Sequence, residues 1–221
     1  MGRKKLKHLG RKSNIRKIIN LDTRKIVVII GVVLSIIVIF NITKYIERQE
    51  KKEVNKKEVV LDEEKNQFIE SIEKGAKKSY KKYGIYPSVT IAQAILESGW
   101  GKSKLAKESN NIFGIKADSS WDGESVEVIT SENHNDKVVA KFRRYEDINE
   151  SIEDHAKFLV YNPRYKKHGV FDAKNYKEQA QSLEDAGYST KKDKNGNPIY
   201  ADMLIDLIER YNLQNIDKNM S

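Results

Sequence analysis

The chain has 221 residues, a formal net charge of +9 and no cysteine. Its length allows one globular domain with appended segments, and the lack of cysteine excludes a disulfide framework, thiolate catalysis and cysteine-ligated metal sites. Residues 1–25 contain ten of the 41 basic residues and one acid, so the remainder of the chain is neutral. The net charge therefore does not support nucleic-acid binding, which would need a basic surface on the folded part.

The first predicted element is an uncharged apolar segment at residues 26–43, directly after the basic block. As a helix, it would span roughly 25 Å, close to the ~30 Å hydrocarbon core of a bilayer. A buried core helix or a cleaved signal peptide would also be apolar, but the following flank lacks the small residues of a cleavage site. Because the basic block precedes the segment, the positive-inside rule predicts a single-pass membrane anchor with a cytoplasmic N-terminus and an external domain.

The predicted domain organisation follows from changes in composition along the chain. A cytoplasmic tail at 1–25 and the anchor at 26–43 precede residues 44–64, which are charge-dense and predict a solvated stalk. Apolar periodicity then begins, and we expect a globular domain at 65–216 and a short tail at 217–221.

The domain begins with two predicted helices. Apolar residues recur at helical spacing up to Gly84, and Pro87 opens a second helix that is apolar on nearly all sides. Such a helix is expected in the middle of the domain. Gly99 and Gly101 end it, and Ser103 is expected to cap a short third helix.

After Ile115 the hydrophobic period changes from helical to alternating. Residues 123–130 and 137–145 predict a β-hairpin, which must pack against the helices because two strands alone are marginally stable. Helical spacing then returns in three segments, at 147–162, 175–187 and 197–213. The predicted fold class is mainly α (α+β), with one small β-hairpin among the helices.

One carboxylate is notable for its position at the end of the second helix. Glu97 follows an apolar run, and both the helix dipole and apolar surroundings would raise the pKa of a carboxyl there. A carboxyl that stays protonated near neutral pH can donate a proton to a leaving oxygen. An exposed glutamate in the last turn of an ordinary helix would have the same spacing, so this pattern alone leaves both interpretations open.

The surrounding segment, ILESGWGKSKLAKESNNIFGIK, resembles the signature of the bacterial peptidoglycan endo-β-N-acetylglucosaminidases, a flagellar-muramidase-type family with a lysozyme-like fold. The similarity continues in order through FRRYEDINESIEDHAKFLVYNPRY, AGYST and YADMLIDLIERYNL and covers about residues 66–213. The resemblance implies an autolysin-like glycosidase, and the apolar segment independently predicts that it is anchored in the membrane. No cofactor is expected. The glycosidase would cleave the β-1,4 bond between N-acetylglucosamine and N-acetylmuramic acid of peptidoglycan, with Glu97 as the general acid.

The same resemblance implies a second carboxylate and a tyrosine. Glu132 lies in the Thr-x-Glu segment of the hairpin and Tyr188 in the AGYST motif. Water attack, a covalent intermediate and assistance by the substrate's own acetamido group all stay open, and Glu132 could also be a solvated turn acid. Tyr188 could bind the acetamido group or stabilise oxocarbenium charge. Lys191 stands where the family usually has an acid, so the nearby groove wall is expected to differ.

Seven residues are candidates for substrate binding, the aromatic ones by stacking on sugar rings and the asparagines by hydrogen bonding: Trp100, Asn110, Asn111, Phe113, Trp121, Tyr165 and Tyr200. Each aromatic residue could instead belong to the core, and the asparagines could form turns. Of the seven, Trp121 and Tyr165 are expected to be exposed in loops. The histidines show no metal-ligand spacing, so no metal site is predicted, and His155 is expected in a helix near the core.

Two alternatives to this interpretation stay open. The first is a muramidase or lytic transglycosylase on the same fold, and the second is a non-catalytic scaffold that binds wall glycans. The presence of both Glu97 and Glu132 favours an enzyme. The expected partners are peptidoglycan strands and, through residues 26–43, the cytoplasmic membrane.

Overall fold

The computed structural model describes residues 23–132 and 136–218, with the backbone alone for residues 58, 130–132 and 136–137. The chain divides into two compact units, one up to Val60 and one from Leu61 onward. Helix α1 (Thr23–Tyr83) contributes residues to both units.

The described part of the first unit is the N-terminal portion of α1. Its large apolar side chains from Ile26 to Ile42 are exposed, and the helix is long and apolar enough to cross a membrane. A signal sequence near an N-terminus meets the same criterion of length and composition. Residues 44–64, predicted as a solvated stalk, are also helical.

The second unit is mainly helical with one two-stranded sheet, which confirms the predicted fold class. Its elements after α1 are α2 (Pro87–Ser98), α3 (Lys104–Ser109), β1 (Ser125–Glu132), β2 (Asp136–Arg143), α4 (Ile148–Tyr161), α5 (Pro163–Lys167), α6 (Tyr176–Asp185), α7 (Tyr200–Arg210) and α8 (Gln214–Lys218). The short helices α5 and α8 are not anticipated by the sequence pattern.

Helix α2 lies at the centre of the second unit, as its apolar composition predicts. Ten of its twelve residues are buried, and it packs against α6, α7 and α8. Pro87 occupies its first turn, and Asp217 of α8 accepts hydrogen bonds from the backbone N–H and hydroxyl of Ser88, at 2.9 and 2.6 Å. Burial of each large aliphatic side chain contributes about 1.5–3 kcal/mol, so packing rather than helix propensity stabilises this element. The helix ends at Gly99, whose φ of 57° suits glycine.

The predicted hairpin is present, with its strand ends shifted by one or two residues. Strands β1 and β2 pair antiparallel, with Ser125 opposite Arg143 and Glu132 opposite Asp136. The facing pair Ile129 and Val139 is exposed, whereas Phe142 is buried. This alternation is typical of a sheet that covers the core with one face and leaves the other to solvent.

The prediction for Tyr165 is wrong in both element and exposure. Pro163 does not simply end the preceding helix but begins α5, since a proline is well tolerated in the first turn of a helix. Tyr165 therefore lies in a helix, is 0% exposed, and packs against Phe158 and Tyr188 at ring distances of 5.9 and 6.2 Å.

Candidate active site

A cleft of about 400 Å³ opens beside the C-terminal end of α2. Residues from α2, the α3–β1 segment, α4, α5 and the segment after α6 line it: Glu97, Phe113, Gly114, Ile115, Lys116, Asp118, Phe158, Arg164, Tyr165, Tyr188 and Ser189. The cleft thus brings together Glu97, Phe113, Tyr165 and Tyr188 from the set of residues predicted by the sequence.

Glu97 is half-buried in the last turn of α2. Burial raises the pKa of its carboxyl, while a hydrogen bond from Tyr200 and the positive charge of Lys191 act in the opposite direction. The Tyr200 hydroxyl donates to Oε1 of Glu97 at 3.0 Å, and Nε2 of Gln93 donates to the Tyr200 oxygen at 3.2 Å. The carboxyl is therefore held in one orientation with a raised pKa, which is the condition for a general acid.

Tyr188 reaches the cleft from the turn that follows α6. Its ring stacks on that of Tyr200, with centroids 5.2 Å apart and planes at 22°, and its hydroxyl lies 3.2 Å from Nε2 of His155. Burial, followed by the nearby charge of Glu97, raises the pKa of Tyr188 well above its usual value. The phenol is therefore neutral and can act as a hydrogen-bond donor near Glu97.

The two asparagines form hydrogen bonds with the backbone beside the cleft. Asn111 is buried, and its Nδ2 donates to the carbonyl oxygens of Ile115 and Arg143 at 3.0 and 2.8 Å, while its Oδ1 accepts from the Ile115 N–H at 3.0 Å. Asn110 ends α3 in a left-handed conformation and donates to the carbonyl oxygens of Tyr145 and Glu146. Both side chains link the segment that carries Phe113 to the β2–α4 region, and the burial of Asn111 leaves it unavailable to a sugar. Contact between Asn110 and a sugar stays a prediction.

Tyr200 is buried, whereas stacking on a sugar ring would need an exposed ring face. It is 1% exposed, so its ring faces are not available to a sugar, and its hydroxyl is bonded to Glu97. A role in orienting the acid replaces the predicted role in stacking.

The two tryptophans lie outside the lining of this cleft. Trp100 packs between Phe68 and Tyr211, at ring distances of 6.2 and 4.8 Å. Trp121 lines a neighbouring groove of about 360 Å³ that shares Asp118 and Phe158 with the cleft. The Arg143 guanidinium lies over the Trp121 ring, with its Cζ 4.6 Å from the ring centroid.

The predicted second carboxylate, Glu132, ends strand β1, and its side chain lies outside the described part of the structure. His134 is also outside the described residues. Among the side chains that the structure describes, no group of three or more His, Asp or Glu residues could hold a metal ion.

Asp118 is a cleft carboxylate that the sequence reasoning missed. Its Oδ1 accepts from the backbone N–H and hydroxyl of Ser120, at 2.9 and 2.5 Å, and its Oδ2 lies 3.7 Å from a guanidinium nitrogen of Arg143. The Ser120 hydrogen bonds, with a smaller contribution from Arg143, lower the pKa of Asp118. An Asp-x-Ser turn before a tryptophan is the sequence signal for such a carboxylate. The cleft thus holds one carboxyl with a raised pKa and one with a lowered pKa.

Comparisons with known proteins identify a family that covers most of the second unit. The family described as mannosyl-glycoprotein endo-beta-N-acetylglucosaminidase matches residues 73–213. Exo-glucosaminidase LytG of Bacillus subtilis is 40% identical over 172 residues, which cover 75% of this chain and 58% of that protein. A probable N-acetylmuramidase of Lactococcus lactis is 38% identical over 154 residues, covering 68% of this chain and 34% of that protein.

Solved structures of hydrolase domains share the fold. The catalytic domain of the autolysin Auto from Listeria monocytogenes matches with a TM-score of 0.59 and 37% identity, covering 70% of this chain and 88% of that one. This match supports the lysozyme-like class expected from the sequence. The chain spans only about a third to somewhat over half of the length of the two curated relatives.

We expect Glu97→Gln to increase the free energy of unfolding at pH 7. Because the folded-state pKa of Glu97 is raised by burial, its stabilising contribution is fully present below the unfolded pKa of about 4.3 and is lost as pH rises through the folded value. A neutral glutamine avoids that loss, so the advantage of the variant should shrink on acidification. Denaturant unfolding followed by tryptophan fluorescence at several pH values measures the free energy of unfolding of the variant and the wild type.

The exposed Asp122 provides a matched control for this prediction. Asp122→Asn should leave the free energy of unfolding within about 0.5 kcal/mol of the wild type. A Glu97→Gln variant that is no more stable than the wild type at pH 7 would contradict the buried-acid interpretation.

Proposed function

The chain belongs to the mannosyl-glycoprotein endo-beta-N-acetylglucosaminidase family, and on that basis we propose that it hydrolyses the glycan strands of peptidoglycan. The bond cut would be the β-1,4 linkage from N-acetylglucosamine to N-acetylmuramic acid, within the strand. The family match confirms the resemblance on which the sequence interpretation depends, and it extends over the residues that build the cleft.

The observation that carries the proposal is the environment of Glu97. Its carboxyl is half-buried in a cleft, has a raised pKa and is oriented by the hydroxyl of Tyr200. A protonated carboxyl in such a position can protonate the glycosidic oxygen as the bond to the leaving sugar breaks. Glycosidic cleavage needs such a proton because an alkoxide is a poor leaving group, so Glu97 is the proposed general acid.

A second carboxylate would act on the opposite side of the sugar ring. We assign this role to Glu132 on the family resemblance, which implies a second carboxylate in the Thr-x-Glu segment of the hairpin. The backbone of Glu132 lies opposite Asp136, at the end of the hairpin away from Arg143. Asp118 is the competing candidate, since it lines the cleft with Glu97 and its pKa is lowered. Either carboxylate could activate water. If the substrate's own acetamido group attacks instead, Tyr188 would hold that group in place.

The second candidate function is cleavage on the other side of the muramic acid residue. The similarity to a probable N-acetylmuramidase, at 38% identity, favours keeping this candidate. The general acid would be the same, and only the register of the glycan in the groove would change.

The location follows from the segment before the domain. The apolar, exposed helix at residues 26–42 would anchor the protein in the bacterial cytoplasmic membrane, and the basic residues before it would keep the N-terminus in the cytoplasm. The catalytic domain would then lie outside the membrane, where peptidoglycan strands are found.

Digestion of purified cell walls should produce new reducing ends of N-acetylglucosamine, which borohydride reduction and mass spectrometry identify. Endo cleavage should give fragments of many lengths rather than a single released unit. Glu97→Gln should lower the rate by about 100-fold or more, since general-acid catalysis contributes roughly 10²–10⁴. Reducing muramic acid ends would support the second candidate, whereas 1,6-anhydromuramic ends would indicate a lytic transglycosylase.

Glu132→Gln and Asp118→Asn form a matched pair that identifies the second carboxylate. If Glu132 is that residue, its replacement should lower kcat on cell walls by about 100-fold, while Asp118→Asn changes it little. Addition of azide can restore turnover in variants that lack a base or nucleophile, and it should act on the Glu132 variant only. The reverse pattern would assign the role to Asp118, and two active variants would favour assistance by the substrate.

Membrane fractionation of the full chain tests the anchor. We expect the protein to stay with the membrane in alkaline carbonate, which strips peripheral proteins, and deletion of residues 26–43 should release it. External protease should digest the domain in intact spheroplasts but spare an N-terminal tag. Complete release of the wild-type protein by carbonate, with a shortened chain, would show instead that the segment is a cleaved signal.

A further inference from the structure

A buried histidine lies directly behind the hydroxyl of Tyr188. His155, in α4, is 0% exposed, and its ring stacks on Phe113 with centroids 3.9 Å apart and planes at 10°. Its Nε2 lies 3.2 Å from the Tyr188 oxygen. Burial lowers the pKa of His155 to about 3, so the imidazole is neutral near neutral pH and carries one N–H.

The surroundings of the ring decide which nitrogen holds that proton. Nδ1 is buried and has no hydrogen-bond partner in the described part of the chain. A proton on Nδ1 would leave a buried donor without an acceptor, which is a rare and costly state. A proton on Nε2 is donated to the Tyr188 oxygen, and only the lone pair of Nδ1 is then left without a hydrogen-bond partner. The packing therefore favours the Nε2–H tautomer.

This tautomer determines the direction of the Tyr188 hydroxyl. When the Tyr188 oxygen accepts a hydrogen bond from His155, its own proton must point elsewhere. No other hydrogen-bond partner for this hydroxyl is found among the side chains that the structure describes, and the side chain of Tyr188 lines the cleft. Since the raised pKa keeps the phenol protonated, the hydroxyl presents its proton to the cleft.

The neighbouring Tyr200 is supported in the same way. Nε2 of Gln93 donates to the Tyr200 oxygen, and Tyr200 donates in turn to Glu97. The remaining polar atom of Gln93, Oε1, is buried without a partner, like Nδ1 of His155. Each of the two stacked tyrosines thus has a buried donor behind its oxygen, which turns its proton towards the reacting region.

We infer that His155 is a positioning residue that makes Tyr188 a hydrogen-bond donor to the substrate. The inference rests on the proposed function, because it takes the cleft as the site of a sugar. A phenolic proton suits the carbonyl oxygen of the substrate's acetamido group, whereas stabilisation of oxocarbenium charge would need a lone pair of the phenol to face the sugar. The orientation imposed by His155 therefore selects the acetamido role for Tyr188 over the charge-stabilising one.

Variants at position 155 test this inference in the full-length enzyme. His155→Leu should lower kcat on cell walls roughly 10- to 100-fold, as expected for the loss of one oriented donor, with little change in KM. His155→Gln places an amide N–H near the position of Nε2 and should recover most of the loss. His155→Asn is a polar control that is too short to reach Tyr188, and it should stay impaired.

A double variant separates positioning from a purely structural role. In a Tyr188→Phe background, His155→Leu should lower kcat by less than twofold, because its effect passes through the missing hydroxyl. An equal loss in both backgrounds, or a glutamine variant as impaired as the leucine variant, would overturn the inference. Thermal unfolding of each variant identifies any that fail to fold.

The tautomer can be observed directly in the wild-type chain in detergent micelles. With ¹⁵N-labelled histidine, long-range ¹H–¹⁵N correlation should show His155 as the Nε2–H form, unchanged between pH 5 and 8, with its signals identified by their loss in His155→Gln. The Nδ1–H form, or a titration in this range, would overturn the inference whatever the activity. Absence of wall hydrolysis by the wild type would instead contradict the proposed function while leaving this result interpretable.

Discussion

The site depends on the placement of one carboxyl at the end of a helix that is otherwise buried. Ten of the twelve residues of α2 are inside the second unit, so the helix can reach the surface only at its end. Glu97 is there, half-buried, and burial raises the pKa of its carboxyl. The same packing that stabilises the core therefore also favours the protonated form of this carboxyl, and any change that exposes the end of α2 would weaken both effects.

Tyr200 limits how far burial can raise this pKa. Its hydrogen bond stabilises the ionised form of Glu97, and the charge of Lys191 acts in the same direction. A general acid must release its proton during the reaction and regain it afterwards, so a carboxyl that could never ionise would be of no use. Burial raises the pKa of Glu97 and the hydrogen bond from Tyr200 lowers it, so the carboxyl can both hold and release a proton. This function of the Tyr200 hydroxyl is consistent with the burial of the side chain.

The sequence predicts the elements well because hydrophobic spacing depends on local neighbours. The burial of α2 and the presence of the hairpin follow from such patterns, as does the Ser103 cap, whose hydroxyl accepts from the Ala106 N–H at 3.1 Å. The roles of individual polar and aromatic side chains are less predictable, because their partners are distant in the chain. Tyr200 is 103 residues from Glu97, and nothing in a single sequence shows that these two residues meet.

The net charge of the chain does not determine the character of the cleft. The excess positive charge of the chain lies in residues 1–25, and the rest is neutral. A glycan strand built from N-acetylated sugars offers hydroxyl and acetamido groups, which are bound by hydrogen-bond donors and acceptors and by ring faces rather than by net charge. Neutral phenols held in fixed orientations by His155 and Gln93 match that chemistry. Because their protons are directed by buried neighbours, they are oriented before the substrate arrives, and the reorganisation that would otherwise slow the reaction is reduced.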